Sequence, residues 1–146
     1  MRITQEADYA IRICSILDRA EKITGASELA EKACITQRIA LKVLRQLTEH
    51  GIVRSYKGAY GGYVLERSGD TIKISELIEI VDGPIQISKC LNCEHECSRN
   101  PDKCACKMHL AFSAINESLV NNLGSITVRM LSDEDLSAEG MIGLIK

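Results

Sequence analysis

The chain has 146 residues, of which 45% are hydrophobic, 26% charged and only 3% aromatic. This excludes a disordered or fibrous chain and favours a helical domain with an aliphatic core over a β-sandwich. The formal charge of −2 is unevenly distributed, because residues 1–67 hold eleven Lys and Arg against eight Asp and Glu, whereas residues 68–146 hold seven against twelve. We therefore expect any polyanionic partner to bind the first half.

The sequence contains no recognisable membrane or export signal. No apolar run approaches the roughly 18 residues of a membrane span. Glu6 and Asp8 stand where a signal peptide would be apolar. We expect a cytoplasmic protein with no membrane partner.

Three helices are predicted in the first third of the chain. Apolar residues recur at spacings of three and four over 3–20, which predicts the first helix. Ser27 is a good N-cap for a short helix over 28–33, and Thr36 for a third helix over 37–50. The last two helices, joined by a tight connection, suggest a helix-turn-helix.

The third helix has two chemically different faces. At 100° per residue, one face carries the apolar residues Ile39, Ala40, Val43, Leu44 and Leu47, and the opposite face carries Arg38, Leu41, Lys42 and Arg45. The second set fits a helix in a DNA major groove, where Arg and Lys reach guanine edges or phosphates and Leu41 touches a thymine methyl. Two alternatives stay open: a merely solvated basic face, and packing of Leu41 on a neighbouring element.

A β-hairpin is predicted directly after the third helix. Two β-prone runs, 52–57 and 63–67, flank the glycine-rich segment 58–62. A helix-turn-helix followed by such a hairpin is a winged helix, and Arg54 and Lys57 on the wing would add phosphate or minor-groove contacts. The order of these elements favours a double-stranded DNA partner over a solvated face.

The second half combines helices with an irregular loop. Periodicity predicts a fourth helix over 74–81, no regular structure over 85–102, and a long amphipathic helix over 108–123 that Gly124 ends. Such a long helix often pairs with a second copy of itself. We therefore expect a mainly α fold with a small β-hairpin wing, organised as a winged helix-turn-helix over 1–83, a Cys-rich loop over 84–107, a dimerisation helix region over 108–131 and a tail over 132–146.

Five of the seven cysteines fall within seventeen residues, Cys90, Cys93, Cys97, Cys104 and Cys106, and His109 follows. In a reducing cytosol such a cluster suits a metal better than disulfides. The cluster offers more soft ligands than a tetrahedral zinc site requires, and Cys104-x-Cys106 is too tight for a zinc knuckle. Iron–sulfur clusters also take Cys thiolates, so the spacing alone does not decide between zinc and an iron–sulfur cluster. Cys14 and Cys34 lie in helical patterns and are predicted to be small core residues.

Catalytic patterns are absent from the sequence. No paired carboxylates, Gly-x-Ser-x-Gly or phosphate-binding loop occur, and neither His50 nor His95 has a nucleophile partner. We expect no enzyme activity and no small-molecule substrate. His95, between two Glu residues, is expected to be solvated.

The residues from Ile3 to about Leu131 resemble the bacterial winged-helix regulator family of the iron–sulfur cluster regulator IscR, with NsrR, RirA and CymR. Four segments carry the resemblance: Thr4-Gln5-Glu6-Ala7-Asp8-Tyr9-Ala10, Gly51-Ile52-Val53-x-Ser55, Lys57-Gly58-x-x-Gly61-Gly62-Tyr63-x-Leu65, and the Cys-bearing loop after Val81-Asp82.

The resemblance implies a homodimer, joined through the long helix, that binds a pseudo-palindromic DNA operator. By position, it implies that Cys90, Cys97, Cys106 and His109 ligate an iron–sulfur cluster. A 2Fe–2S cluster with one His ligand matches this set, and the surplus thiols Cys93 and Cys104, as alternate ligands, leave a 4Fe–4S cluster open.

The function implied by the resemblance is an iron–sulfur-sensing transcriptional regulator, a repressor, of iron–sulfur biogenesis, iron or redox and nitric-oxide response genes. In this hypothesis, cluster occupancy orders the loop and changes the spacing of the two recognition helices. The alternative is a zinc-stabilised or thiol-redox-switched DNA-binding dimer without an iron–sulfur cluster.

Overall fold

The computed structural model describes residues 2–20, 22–92, 94, 96–98 and 102–145, so Cys93 and His95 lie outside the described residues. In chain order the elements are α1 Gln5–Ala20, α2 Ala26–Lys32, α3 Gln37–Glu49, β1 Val53–Tyr56, β2 Gly62–Leu65, α4 Ile74–Asp82, α5 Lys107–Ser125, α6 Val128–Ser132 and α7 Ala138–Leu144, with short 3-10 turns at Gly69–Thr71 and Lys89–Leu91. The predicted fold class, mainly helical with a two-stranded antiparallel wing, is confirmed. The predicted domain boundaries stay a prediction.

Helix α1 is the centre of the core. It packs against α3, α4 and α6. The largest fully buried side chains are aliphatic, among them Ile13, Leu44, Leu47, Leu77 and Ile78. The predicted apolar face of α3 is confirmed, because four of its residues are buried and Ile39 packs against them.

The connection between α2 and α3 differs from the prediction in two ways. Gly25, not Ser27, is the N-cap of α2, and the helix starts one residue before Ser27. Cys34 is exposed rather than in the core, with φ +57°. It follows the C-cap of α2, where its N–H donates to Glu31 O and the Ile35 N–H donates to Ala30 O. These two bonds form a Schellman motif, which requires a left-handed residue at this position and turns the side chain away from the core.

Capping fixes both ends of α3. The Thr36 side chain accepts a hydrogen bond from the Ile39 N–H, as predicted. At the other end Gly51 has φ +68°, and the Ile52 N–H donates to Leu47 O at 2.9 Å. Glycine adopts this backbone conformation without strain, so the chain leaves α3 directly into the wing.

The wing is attached to the helix-turn-helix at its base. β1 and β2 pair with Val53 opposite Leu65 and Tyr56 opposite Gly62. β2 also exchanges two backbone hydrogen bonds with Thr24, through Tyr63, at 2.9 and 3.0 Å. A Cβ on Gly62 would lie 2.6 Å from Thr24 O, so this close approach requires glycine.

The segment after α5 folds back onto the DNA-binding unit. The Ile74 N–H donates to Ile126 O at 3.0 Å, and the Val128 N–H donates to Ile72 O at 2.9 Å. Helix α5 continues through Gly124 to Ser125 instead of ending at Gly124. The first of these backbone bonds is at Ile126, directly after the last residue of α5. The helix therefore ends where the chain pairs with the start of α4, and Gly124 does not end it.

The buried carboxylate of Asp18 connects α1 to α6. It accepts a hydrogen bond from Ser132 Oγ and pairs with Arg129 at 3.2 Å. The neighbouring Arg19 donates to Ser132 O at 2.9 Å. Asp18 is 5% exposed, so these partners supply the interactions that a buried charge needs. Among the described residues, none of the helices is long and apolar enough to cross a membrane.

Candidate functional site

The basic stripe predicted on α3 lies on the surface. Arg38, Leu41, Lys42 and Arg45 are all exposed, and Leu41 is 43% exposed. Leu41 does not pack in the core. It lines a cavity of about 280 Å³ between α3 and the wing, with Ser55 and Tyr63 on the opposite side.

Three of the predicted DNA-contacting cations already pair with carboxylates. Lys42 Nζ lies 2.5 Å from Glu6, Arg45 Nε lies 2.8 Å from Glu49, and Arg54 donates through two nitrogens to Glu66. These three acidic partners were not identified from the sequence. For the Arg45–Glu49 pair the sequence did carry a local signal, because the two residues are four positions apart on one helix.

The carboxylates also affect the titration of the two guanidiniums. The side-chain hydrogen bonds that Arg54 donates to Glu66 raise the pKa of Arg54 above its ordinary value, and Tyr56 adds to the shift. The side-chain hydrogen bond that Arg45 donates to Glu49 likewise raises the pKa of Arg45. Both cations stay charged. Arg54 meets Glu66 through two of its nitrogens, whereas Arg45 is bonded to Glu49 through Nε, which leaves its other guanidinium N–H groups for a phosphate.

Arg38 on α3 and Lys57 on the wing differ from the other cations. Both are exposed, and within the part of the chain that the structure describes neither has an acidic partner. Tyr60 at the wing tip is almost fully exposed, a feature that its position among three glycines could have suggested. The surface from α3 to the wing tip therefore presents two unpaired cations and one projecting aromatic ring.

The start of the cysteine-rich segment is bound to α5 by Asn116. Its Oδ1 accepts from the Ile87 N–H at 2.9 Å and its Nδ2 donates to Ile85 O at 2.9 Å. Cys90 follows three residues later, with its Sγ 3.3 Å from Ser88 Oγ. Sequence reasoning missed this clamp, because a lone Asn on a helix carries no local signal for its partner.

Cys106 and His109 lie at the beginning of α5. Cys106 is the N-cap residue, and its carbonyl accepts the Leu110 N–H at 3.0 Å. His109 follows within the first turn, and its Nδ1 is buried without a hydrogen-bond partner among the described residues. The ring lines a cavity of about 410 Å³ that also borders Leu91 and Asn116. A buried imidazole nitrogen without a partner is available to a ligand.

The predicted ligands match the chemistry of a thiolate-bound metal but are not assembled in this structure. Cys90, Cys97 and Cys106 are half-buried, whereas Cys104 is exposed. Over the described ranges, no three His, Cys, Asp or Glu side chains gather closely enough to hold an ion. Three half-buried thiols and an unpartnered imidazole fit both an iron–sulfur cluster and zinc, because both take Cys and His ligands.

Comparisons with known proteins identify the family. The Rrf2 family, described as an iron-dependent transcriptional regulator, matches residues 3–134. An rrf2-like protein of Rhodobacter capsulatus is 29% identical over 145 residues, covering 94% of this chain and 93% of that protein. The HTH-type transcriptional regulator IscR of Xenorhabdus nematophila is 27% identical over 135 residues, covering 90% of this chain and 79% of that protein.

A solved structure agrees with this assignment. CymR (YrzC), the global cysteine regulator of B. subtilis, superposes with a TM-score of 0.71 at 25% identity, covering 90% of this chain and 96% of that chain. Rrf2 regulators bind DNA, are generally dimers, and are not enzymes. This chain therefore belongs to the Rrf2 family of helix-turn-helix transcription regulators.

Proposed function

We propose that this chain is an iron–sulfur-sensing repressor that binds a pseudo-palindromic operator as a homodimer. The observation that carries the proposal is the unpartnered, buried Nδ1 of His109, one turn from Cys106 at the start of α5. Buried polar atoms without partners are rare in native proteins, and a bound ion is one of the explanations for those that occur. The genes proposed to be under its control serve iron–sulfur biogenesis or the iron, redox and nitric-oxide responses.

The proposed ligands are Cys90, Cys97, Cys106 and His109. When bound, a 2Fe–2S cluster supplies a redox-active and oxidant-labile centre, and a His ligand raises its potential. The surplus thiol Cys104 is exposed, which argues against its being a preferred ligand. Cys93 lies outside the described residues and stays an alternate ligand.

The chain's own residues connect this site to the DNA-binding unit. Asn116 holds the segment before Cys90 against α5, and Cys106 begins the same helix. Helix α5 is followed by the backbone bonds to α4 and by the Asp18 contacts to α6. A change in how the cysteine-rich segment is held would therefore act on α5, which joins both the loop and the winged helix.

Helix α5 is the proposed dimer helix. None of its residues is buried within the chain, and Met108, Leu110 and Ile115 are each more than half exposed. A 19-residue helix with such side chains on its surface is typical of an interface. In a two-fold dimer the recognition helices must lie about 34 Å apart, one turn of DNA, so a small shift at α5 changes affinity.

On the DNA, we propose that α3 lies in the major groove and the wing contacts the backbone. Arg38, Leu41, Lys42 and Arg45 would face the groove, with Arg54 and Lys57 near phosphates. Arg38 and Lys57 support this orientation, because both are exposed and neither has an acidic partner among the described residues.

The DNA part of the proposal is tested by selecting an operator from a random pool with the full chain purified without oxygen. Arg38→Ala is expected to weaken operator binding by about 1 to 3 kcal/mol if Arg38 reads a base, whereas Lys57→Ala should weaken binding evenly across sequences. Lys73→Ala, a cation between the wing and α4, is the control and should have little effect. Unchanged affinity in both test variants would contradict the proposed face.

A zinc-stabilised dimer is the second candidate, favoured by the same four donors, since three thiolates and one imidazole make a closed zinc site. Metal and sulfide content separates the two candidates. A thiol-redox switch is the third outcome, and mass spectrometry after mild oxidation would detect its disulfide. Operator affinity before and after chelation then shows whether the bound metal controls DNA binding at all.

A further inference from the structure

Glu6 contacts the recognition helix from outside the helix-turn-helix. It lies in the first turn of α1, and its carboxylate pairs with Lys42 Nζ on α3 at 2.5 Å. The Lys42 side chain is 59% exposed and that of Glu6 is 41% exposed, so both reach solvent. An anionic group therefore lies on the basic stripe that the proposed function assigns to DNA.

The position of Glu6 is fixed by the start of α1. The Thr4 hydroxyl accepts the Ala7 N–H at 3.3 Å, and Thr4 donates from its N–H to Asp82 at the end of α4 at 3.0 Å. The Thr4 hydroxyl also donates to the same carboxylate. The N-terminus of a helix favours negative charge, so the first turn of α1 is a favourable place for an acidic side chain.

Lys42 differs from the other two paired cations in where its acidic partner lies. The partner of Arg45 belongs to the same helix, and the partner of Arg54 belongs to the same hairpin. Those carboxylates move with the cation that they neutralise. Glu6 belongs to a separate element, so whether Lys42 is free depends on how α3 sits relative to α1.

We propose that Glu6 sets the sequence-independent DNA affinity of this protein by occupying Lys42. The inference rests on the proposed function, because it takes α3 as the DNA-facing helix. An exposed ion pair is weak, so a phosphate can displace Glu6, but the displaced carboxylate stays near the DNA and opposes binding. With Glu6 present, Lys42 adds little to binding of arbitrary sequence, and contacts to bases must supply more of the total.

The test is Glu6→Gln in the full chain, measured on a random-sequence duplex of about 25 base pairs at several salt concentrations. Freeing one cation for phosphate should tighten binding about fivefold per protomer near physiological salt. It should also steepen the slope of log affinity against log salt by about 0.9 per protomer. Glu6→Ala should give the same result, and thermal melts followed by circular dichroism show whether each variant is folded.

The matched control is Glu76→Gln. Glu76 lies in the first turn of α4, is 37% exposed, and pairs at 2.6 Å with Arg67 from another element. Like Glu6, it lies in the first turn of a helix, is partly exposed and pairs with a cation from outside that helix, but its partner is not on α3. Its substitution should leave both affinity and salt slope unchanged.

The double variant Glu6→Gln, Lys42→Met separates this pair from a general charge effect. In the Lys42→Met background, Glu6→Gln should change nothing. Unchanged or weaker binding of the Glu6→Gln single variant overturns the inference, as does equal tightening with and without Lys42. Arg38→Ala tests the proposed function itself: if it weakens operator binding while Glu6→Gln has no effect, the DNA face is right and only the role of Glu6 is wrong.

Discussion

Replacing Asn116 by Ala should release the start of the cysteine-rich segment from α5. The side chain makes two hydrogen bonds of 2.9 Å, one to each neighbour of Gln86. Ile85 is only 5% exposed, so its carbonyl would lose its partner in a place that water reaches poorly. The perturbation is local, because both bonds join the segment to α5.

The size of the effect follows from these two bonds. A neutral hydrogen bond contributes about 0.5 to 1.5 kcal/mol net, and a buried group left unpaired costs more, so the pair is worth about 2 to 3 kcal/mol. Each 1.4 kcal/mol is roughly a factor of ten, so the Ile87 amide should exchange its hydrogen about 30- to 150-fold faster. A bound cluster should be lost sooner as well, since Cys90 follows on the released segment.

Hydrogen exchange resolved to single amides measures this directly. Asn121→Ala is the control, because Asn121 is exposed on the same helix and its side chain has no hydrogen-bond partner among the described residues. It should leave exchange at Ile87 unchanged. If Asn116→Ala also leaves the Ile87 amide protected as in the wild type, the clamp does not hold this segment.

Three further substitutions test the fold. Asp18→Ala should lower the free energy of unfolding by about 2 to 3 kcal/mol in urea titrations. This is less than breaking a fully buried ion pair would cost, because the Arg129 side chain is 40% exposed. A loss under about 0.5 kcal/mol would contradict the role of Asp18 in joining α1 to α6. Cys34→Gly should stabilise by about 0.5 kcal/mol, since glycine adopts a φ of +57° without strain, and a destabilised variant would show that this turn is different in solution. Burial, followed by the charges of Glu76 and Asp18, raises the pKa of the Cys14 thiol well above its ordinary value. Above about pH 9 the unfolded thiol therefore ionises while the folded one does not, and stability should fall by about 1.4 kcal/mol per pH unit, a slope that Cys14→Ala removes; an equal slope in both proteins would contradict it.

The local features of the fold were predictable from the sequence. Thr36 capping α3, Gly51 ending it, and the glycine-rich loop of the wing all depend on residues within a few positions of one another. The apolar face of α3 was predictable for the same reason, because the helical period alone decides which residues share a face. The same helical period places the basic stripe on the opposite, exposed face of α3.

The missed features depend on residues far apart in the chain. The Glu6–Lys42 pair joins α1 to α3, the Asn116 clamp joins α5 to the segment before Cys90, and the Asp18 contacts join α1 to α6, so each depends on tertiary packing. A helical pattern predicts Cys34 as a small core residue, whereas the Schellman motif turns its side chain outward. The cysteine ligand set stays a prediction.

The most direct test of the account is the iron, acid-labile sulfide and zinc content of the chain purified without oxygen. The account predicts iron and sulfide with visible charge-transfer absorption in the wild type and in Cys104→Ala, and loss of both in Cys106→Ala and Cys90→Ala. A colourless wild type with stoichiometric zinc would contradict it. So would a cluster that survives in Cys106→Ala but is lost in Cys104→Ala.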